Sequence, residues 1–231
     1  MPFSKSIFPT MVAGIVAAAC APAPLVVPAD GEPTLAEVRA LTERFQDVRT
    51  ALAEGYIRDP FDLCDTAAMM GKPASLGAMG VHYFRPDLLG ITEPPSPRVN
   101  GDGTHTDFRE PSILIYEPQA DGSLRLVAVE NLVFARAWKA KGHKEPPRFH
   151  GIPYDTMVDD PDTAADEAHM FEPHFDRHVW IYRDNPNGVF TPFNPAVTCE
   201  HHKGAKMFPG HTASAPTDSD TTVAAQTRLH H

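Results

Sequence analysis

Positive charge is scarce in this chain: 20 Lys and Arg stand against 30 Asp and Glu, for a formal net charge of -10. A protein this acidic lacks the basic footprint that a phosphate backbone demands, which excludes nucleic acid as a partner. Cysteine is nearly as rare, with three in 231 residues. None forms a CxxC pair or a finger-type Cys/His spacing, so a structural zinc knuckle is excluded. The nucleophile elbow G-x-S-x-G is missing, and so is the zinc-protease signature HExxH. Asn100-Gly-Asp-Gly103 carries two glycines without a lysine or a following helix, so it is no phosphate loop. The stretch from Ile7 to Ala19, apolar apart from Pro9, Thr10 and Gly14, is too short to cross a bilayer.

That run instead has the form of an export leader. Lys5 supplies a short basic region, and Ala17-Ala18-Ala19 supplies the small residues that a signal peptidase reads. Residues 1–19 are therefore expected to be a signal peptide, whose loss makes the mature chain one unit more negative. Cys20 follows the alanines directly, resembling a lipobox in which Ala17 replaces the usual leucine, so lipid attachment at Cys20 competes with simple cleavage. Residues 20–33 read as an Ala/Pro-rich tether. The expected location is the periplasm or cell envelope, with the membrane reached only through that acyl anchor. Cys64 and Cys199 remain for the mature domain, and in an oxidising compartment they are expected to form one disulfide.

Proline is plentiful, with 24 residues falling between the apolar runs, so strands should be short and joined by loops. Thr34 with Glu37 forms a capping box, and Leu35, Val38, Leu41, Phe45, Val48 and Leu52 recur at helical spacing. One long helix ending at Gly55 is predicted. Residues 79–84, 112–117 and 123–134 read as strands, the last two joined by a turn at Asp121-Gly122. His178-Val-Trp-Ile-Tyr182 reads as another, with a turn at Asn187-Gly188 and a return strand over 189–193. Residues 135–170 read as a long irregular insertion. The Thr/Ala/Ser-rich residues 200–231, which carry His230-His231, read as a disordered tail. The pattern predicts α+β: an N-terminal amphipathic helix packed on a strongly curved, mainly antiparallel sheet, a half-open cone or barrel, within one domain at 34–199.

Three polar residues sit on strands where apolar ones are expected. His82 lies between Val81 and two aromatics, Glu130 lies mid-strand, and His178 shares a face with Trp180 and Tyr182. A buried carboxylate needs a cationic partner, and an arginine (Arg125, Arg136 or Arg177) or a metal would serve. If the three faces turn inward, two imidazoles and one carboxylate converge as a facial ligand set for a divalent transition metal such as Fe, Zn or Cu. Weaker candidates are Glu117 at a strand end, His150 in a loop, and His174, whose i,i+4 spacing from His178 would pair the two on a helix. The aromatic residues Tyr83, Phe84, Trp180 and Tyr182 would line a cup for a small apolar ligand.

Several of these stretches together, GAMGVHY at 77–83, LIYEP at 114–118, LRLVAVE at 124–130, HVWIY at 178–182, NPNG at 185–188, Asn194-Pro195 and Cys199, resemble a group of uncharacterised bacterial exported proteins. The resemblance spans about 35–199; it implies one exported domain and no particular activity. Three functions stay open: a metal site with or without catalysis on a small molecule, a non-enzymatic binder of an apolar or aromatic ligand, and an envelope structural lipoprotein.

Overall fold

The computed structural model describes residues 31–204; the expected signal peptide, Cys20, most of the expected tether and residues 205–231 lie outside the described residues. Thr34 caps α1 (Leu35–Thr42) through the predicted capping box, with Glu37 Oε2 accepting from the Thr34 amide at 2.7 Å. The predicted single helix is broken. A 3₁₀ turn (Glu43–Gln46) follows α1, and Asp47 leaves the helical region at φ -89°, ψ 106° to cap α2 (Val48–Ala53) by accepting from the Arg49 amide. An aspartate in this position favours a new N-cap over continued helix. The break turns the apolar stripe, so Val38 and Phe45 are buried while Leu41 and Leu52 face solvent.

The main sheet holds seven strands: β1 (Ile57–Arg58), β2 (Asp65–Thr66), β3 (Ala78–Phe84), β4 (Ile113–Pro118), β5 (Leu124–Phe134), β8 (Asp155–Met157) and β9 (His174–Val179). Its order is β1-β3-β4-β5-β9-β8, every pairing antiparallel, with β2 paired to β3. A small hairpin of β6 (Arg148–Phe149) and β7 (Ile152–Pro153) stands apart. The fold is α+β as predicted. The sheet is an open path with β1 and β8 at its ends, neither closed nor strongly curled, which departs from the expected cone or barrel.

Two further elements depart from expectation. Residues 189–193 form turns rather than a return strand, because β9 ends at Val179 and the chain swings away. The insertion at 135–170 contains α4 (Ala135–Ala140), the small hairpin and β8 rather than loop alone; short α3 (Pro86–Leu89) also forms. The β4–β5 hairpin carries a bulge: Ile115 faces Ala128 and Tyr116 faces Leu126, leaving Val127 unopposed. A bulge switches which face each later side chain occupies. Leu124 and Leu126 therefore pack on the helix side, while Ala128, Leu132 and Phe134 pack on the other. Gly80 permits the crossing at β3. Its φ is 125°, and a Cβ there would stand 2.7 Å from the Tyr116 carbonyl oxygen.

Both faces of the sheet are covered. The helical layer buries one with Val38, Phe45, Val81, Tyr83, Leu114, Tyr116, Val129 and Phe175. The other is buried under loops with Phe84, Leu89, Ile113, Ile115, Phe134, Phe171 and Trp180. Cys64 and Cys199 are disulfide-bonded with Cα atoms 5.8 Å apart, closing a separation of 135 residues. Such a bond belongs to an oxidising compartment. Past it the chain is still packed: His202 is buried, its Nε2 2.9 Å from the Asp62 carbonyl oxygen. Among the described residues no helix is long and apolar enough to cross a membrane.

Candidate metal centre

The loop-covered face of the sheet concentrates the polar groups. β9 delivers His174, Asp176 and His178 on this side, since alternate residues of a strand share a face, while Phe175 and Val179 pack under the helices. Opposite them on β5, Glu130 is in register with His178, Leu132 with Asp176 and Phe134 with His174. His82 comes from β3, two strands from β5, across Ile115 of β4. His169 arrives from the segment just before β9. All six ligand-type residues, and Asp65 on β2, are buried.

The distances define two neighbouring groups. In the first, Glu130 Oε2 lies 3.4 Å from His82 Nε2 and 3.4 Å from His178 Nε2. Two donors each about 2.1 Å from a tetrahedral ion stand about 3.4 Å apart, so this spacing suits a bound metal and exceeds a good hydrogen bond. In the second, Asp176 Oδ2 lies 3.8 Å from His174 Nε2 and 4.0 Å from His169 Nε2. Within each triplet the donor atoms all fall within 4.8 Å of one another.

Hydrogen bonding behind the rings orients them. His82 Nδ1 lies 2.9 Å from Asp65 Oδ2, which turns Nε2 toward Glu130. His174 Nδ1 lies 3.0 Å from the Glu172 carbonyl oxygen, which turns Nε2 toward Asp176. A carboxylate or carbonyl behind one nitrogen, with the other left bare, is how proteins prepare a metal-binding imidazole. The inward atoms have no hydrogen-bond partner: both oxygens of Glu130 and of Asp176, both nitrogens of His169 and of His178, and Nε2 of His82 and of His174. Each such buried orphan costs about 1–3 kcal/mol. So many unpaired atoms in one place mark the group as a candidate binding site.

The electrostatics agree for three of the four imidazoles. Burial pushes the imidazole pKa of His174 and of His178 down to about 4 and that of His169 well below its usual value, so these rings are neutral lone-pair donors. Burial, reinforced by Glu130, raises Asp176 well above the ordinary carboxyl range. Burial also works against charge on His82 and Glu130, but there it loses. Asp65 and Glu130 hold His82 well above 6.5, and His178 with His82 holds Glu130 below its usual value.

Of the predicted residues, His82, Glu130 and His178 come together, and His174 joins the adjoining group as a strand residue rather than as half of a helical pair. Two predicted candidates lie elsewhere. Glu117, expected at a solvated strand end, is buried with Oε1 accepting from the Thr198 amide at 3.0 Å. His150, read as a surface loop residue, is buried against Phe149 and Phe190 with Nε2 2.8 Å from the Pro33 carbonyl oxygen. The four cup aromatics are divided between the faces. Phe84 and Trp180 pack on the loop-covered side, whereas Tyr83 and Tyr182 pack on the helix side, where Tyr182 donates to the Arg39 carbonyl. Tyr182 falls there because the strand has ended before it.

Sequence reasoning missed Asp65, His169 and Asp176. Asp176 had a readable signal, since His-x-Asp-x-His on a strand places three ligands on one face. His169 had none, because a loop gives no periodicity from which to read a direction. Comparison with protein-family models, curated proteins and solved structures yields no match.

Proposed function

We propose that this protein is an exported metal-binding domain that holds a divalent transition ion through His82, Glu130 and His178. The observation that carries the reading is the pair of 3.4 Å separations among buried atoms with no hydrogen-bond partner. Imidazole and carboxylate donors without thiolate suit zinc, iron or copper(II). The two cysteines near the site are committed to their disulfide and supply no sulfur ligand. Three protein ligands leave coordination positions for water or dioxygen, the arrangement of a catalytic rather than a closed structural site. Every ligand is buried, which leaves a larger reactant no direct approach to the ion. Holding an ion away from bulk solvent is therefore the primary role in this reading. Export by residues 1–19, with or without an acyl anchor at Cys20, belongs to the same proposal and accords with the disulfide.

The test is metal analysis of the full chain with His230 and His231 replaced by alanine. About one equivalent or more of a transition metal is expected, and His82→Ala or His178→Ala should lose the ion bound at this group while near-ultraviolet circular dichroism stays native. Metal-free protein after exposure to zinc, iron and copper would end the proposal. Mass spectrometry of the native N-terminus separates acylated Cys20 from an unmodified cleaved end.

A further inference from the structure

We infer that His169, His174 and Asp176 hold a second divalent ion, so that the domain carries a two-ion centre; this rests on the metal reading proposed above. The second triplet repeats the donor chemistry of the first, two imidazoles and one carboxylate, and its ligand atoms lie within 4.8 Å of one another. All three side chains are at most 1% exposed. None of the atoms aimed inward finds a hydrogen-bond partner: both nitrogens of His169, Nε2 of His174 and both oxygens of Asp176. A hydrogen-bonded polar cluster would bring these atoms to about 3 Å, and they stop at 3.8 and 4.0 Å. That separation leaves room between them for an ion with bonds of about 2.1 Å.

The surrounding chain is built to hold His169 in place. His169 has φ 36° and Met170 φ 69°, left-handed backbone that non-glycine residues adopt only when their surroundings enforce it. Asp166 does the enforcing: its carbonyl accepts from the His169 amide at 3.1 Å, and its Oδ2 accepts from the Met170 amide at 3.1 Å. Arg98 locks Asp166 at 3.0 Å and Asp159 at 2.6 Å, and also donates to the Phe171 carbonyl at 2.8 Å. Val99 bonds on both sides of the same turn, donating to Met170 O and accepting from the Glu172 amide. The strained turn thus serves to drive one imidazole down onto β9.

The two groups adjoin through His178. Its Nε2 faces Glu130 at 3.4 Å and its Nδ1 faces Asp176 at 4.0 Å, and both nitrogens are without hydrogen-bond partners. The His82 and His169 rings stack at 5.9 Å, closing the other side. The second position calls for the same class of ion as the first, a borderline divalent metal that accepts imidazole and carboxylate.

Cadmium serves as the probe, read by metal analysis and ¹¹³Cd magnetic resonance on the full chain with His230 and His231 replaced by alanine. Two equivalents and two resonances are expected. His174→Ala and the gentler Asp176→Asn should each leave one equivalent and the resonance of the first group, whereas His82→Ala should remove that resonance instead. A single equivalent that survives His174→Ala would overturn the second ion and leave the first intact. One equivalent lost in every variant would also overturn it, since one shared ion would then use both groups. No bound cadmium at all would remove the first reading and this one with it.

Discussion

The two faces of the central sheet bury polar groups on opposite terms. Under the helical layer, two buried tyrosine hydroxyls reach carbonyl acceptors, and the Tyr154 hydroxyl is the one left unpaired. Tyr56 donates to the Pro111 carbonyl at 2.5 Å, and Tyr116 donates to the Phe45 carbonyl at 2.7 Å. Under the loops, imidazoles and carboxylates gather with their inward atoms unpaired. A core assembled only for stability looks like the first face, because satisfied hydroxyls cost little and unpaired ones cost much. The second face sacrifices stability, and in the proposed reading an ion that binds only the folded state would repay it.

The largest expected effect removes the one feature common to both faces. Cys64 packs under the helices, Cys199 touches both cores, and Asp65 beside Cys64 orients His82. Replacing both cysteines by serine should cost roughly 3–5 kcal/mol for a loop this long. Urea denaturation would measure it, and metal affinity should fall alongside stability. An unchanged midpoint would show that the bond is not a staple.

A gain is expected from Asp59, a buried carboxylate at the sheet edge whose Oδ1 accepts from the Phe61 amide at 3.0 Å. Burial raises its pKa to about 6. The unfolded chain holds this group near 3.9, so the folded state bears the cost of its charge fully above pH 6, partly between 6 and 4, and not at all below 4. Asp59→Asn keeps the acceptor and should stabilise the protein by roughly 2 kcal/mol at pH 7, with the gain vanishing by pH 4. Thermal melts of both proteins across that range check the sign. A gain that persists at pH 4 would mean that charge is not its cause.

The smallest effect sharpens the contrast between faces. Tyr116→Phe leaves the Phe45 carbonyl without its donor and should cost about 1 kcal/mol. It should leave metal content untouched, the reverse of His178→Ala. Loss of metal in the tyrosine variant would show the two faces to be coupled.

Much of this arrangement was readable from the sequence, and the failures have physical causes. His82, Glu130 and His178 stood out because each is polar where a strand needs apolar side chains, and burial on both faces of the sheet makes such an exception costly. The disulfide followed from compartment and cysteine count. The helix break at Asp47 was hidden because its apolar spacing continues across it, although the aspartate is itself the signal for a new cap. His174 and Asp176 were obscured by placing the strand start at His178, when the chain is already extended from His174. His169 depends on a left-handed turn fixed by Arg98, some 70 residues earlier in the chain, and no local pattern encodes that.

The unopposed Val127 gives the hairpin an odd–even rule. Were Val127 paired with Ile115 instead, Ile113 would meet Val129, and Glu130 would point beneath the helices. Deleting Val127 should therefore leave Glu130 opposite Ile113 in a regular ladder, while losing two residues between Gly122 and Glu130 should invert the ligand to the wrong side. The candidate site depends on parity as much as on chemistry.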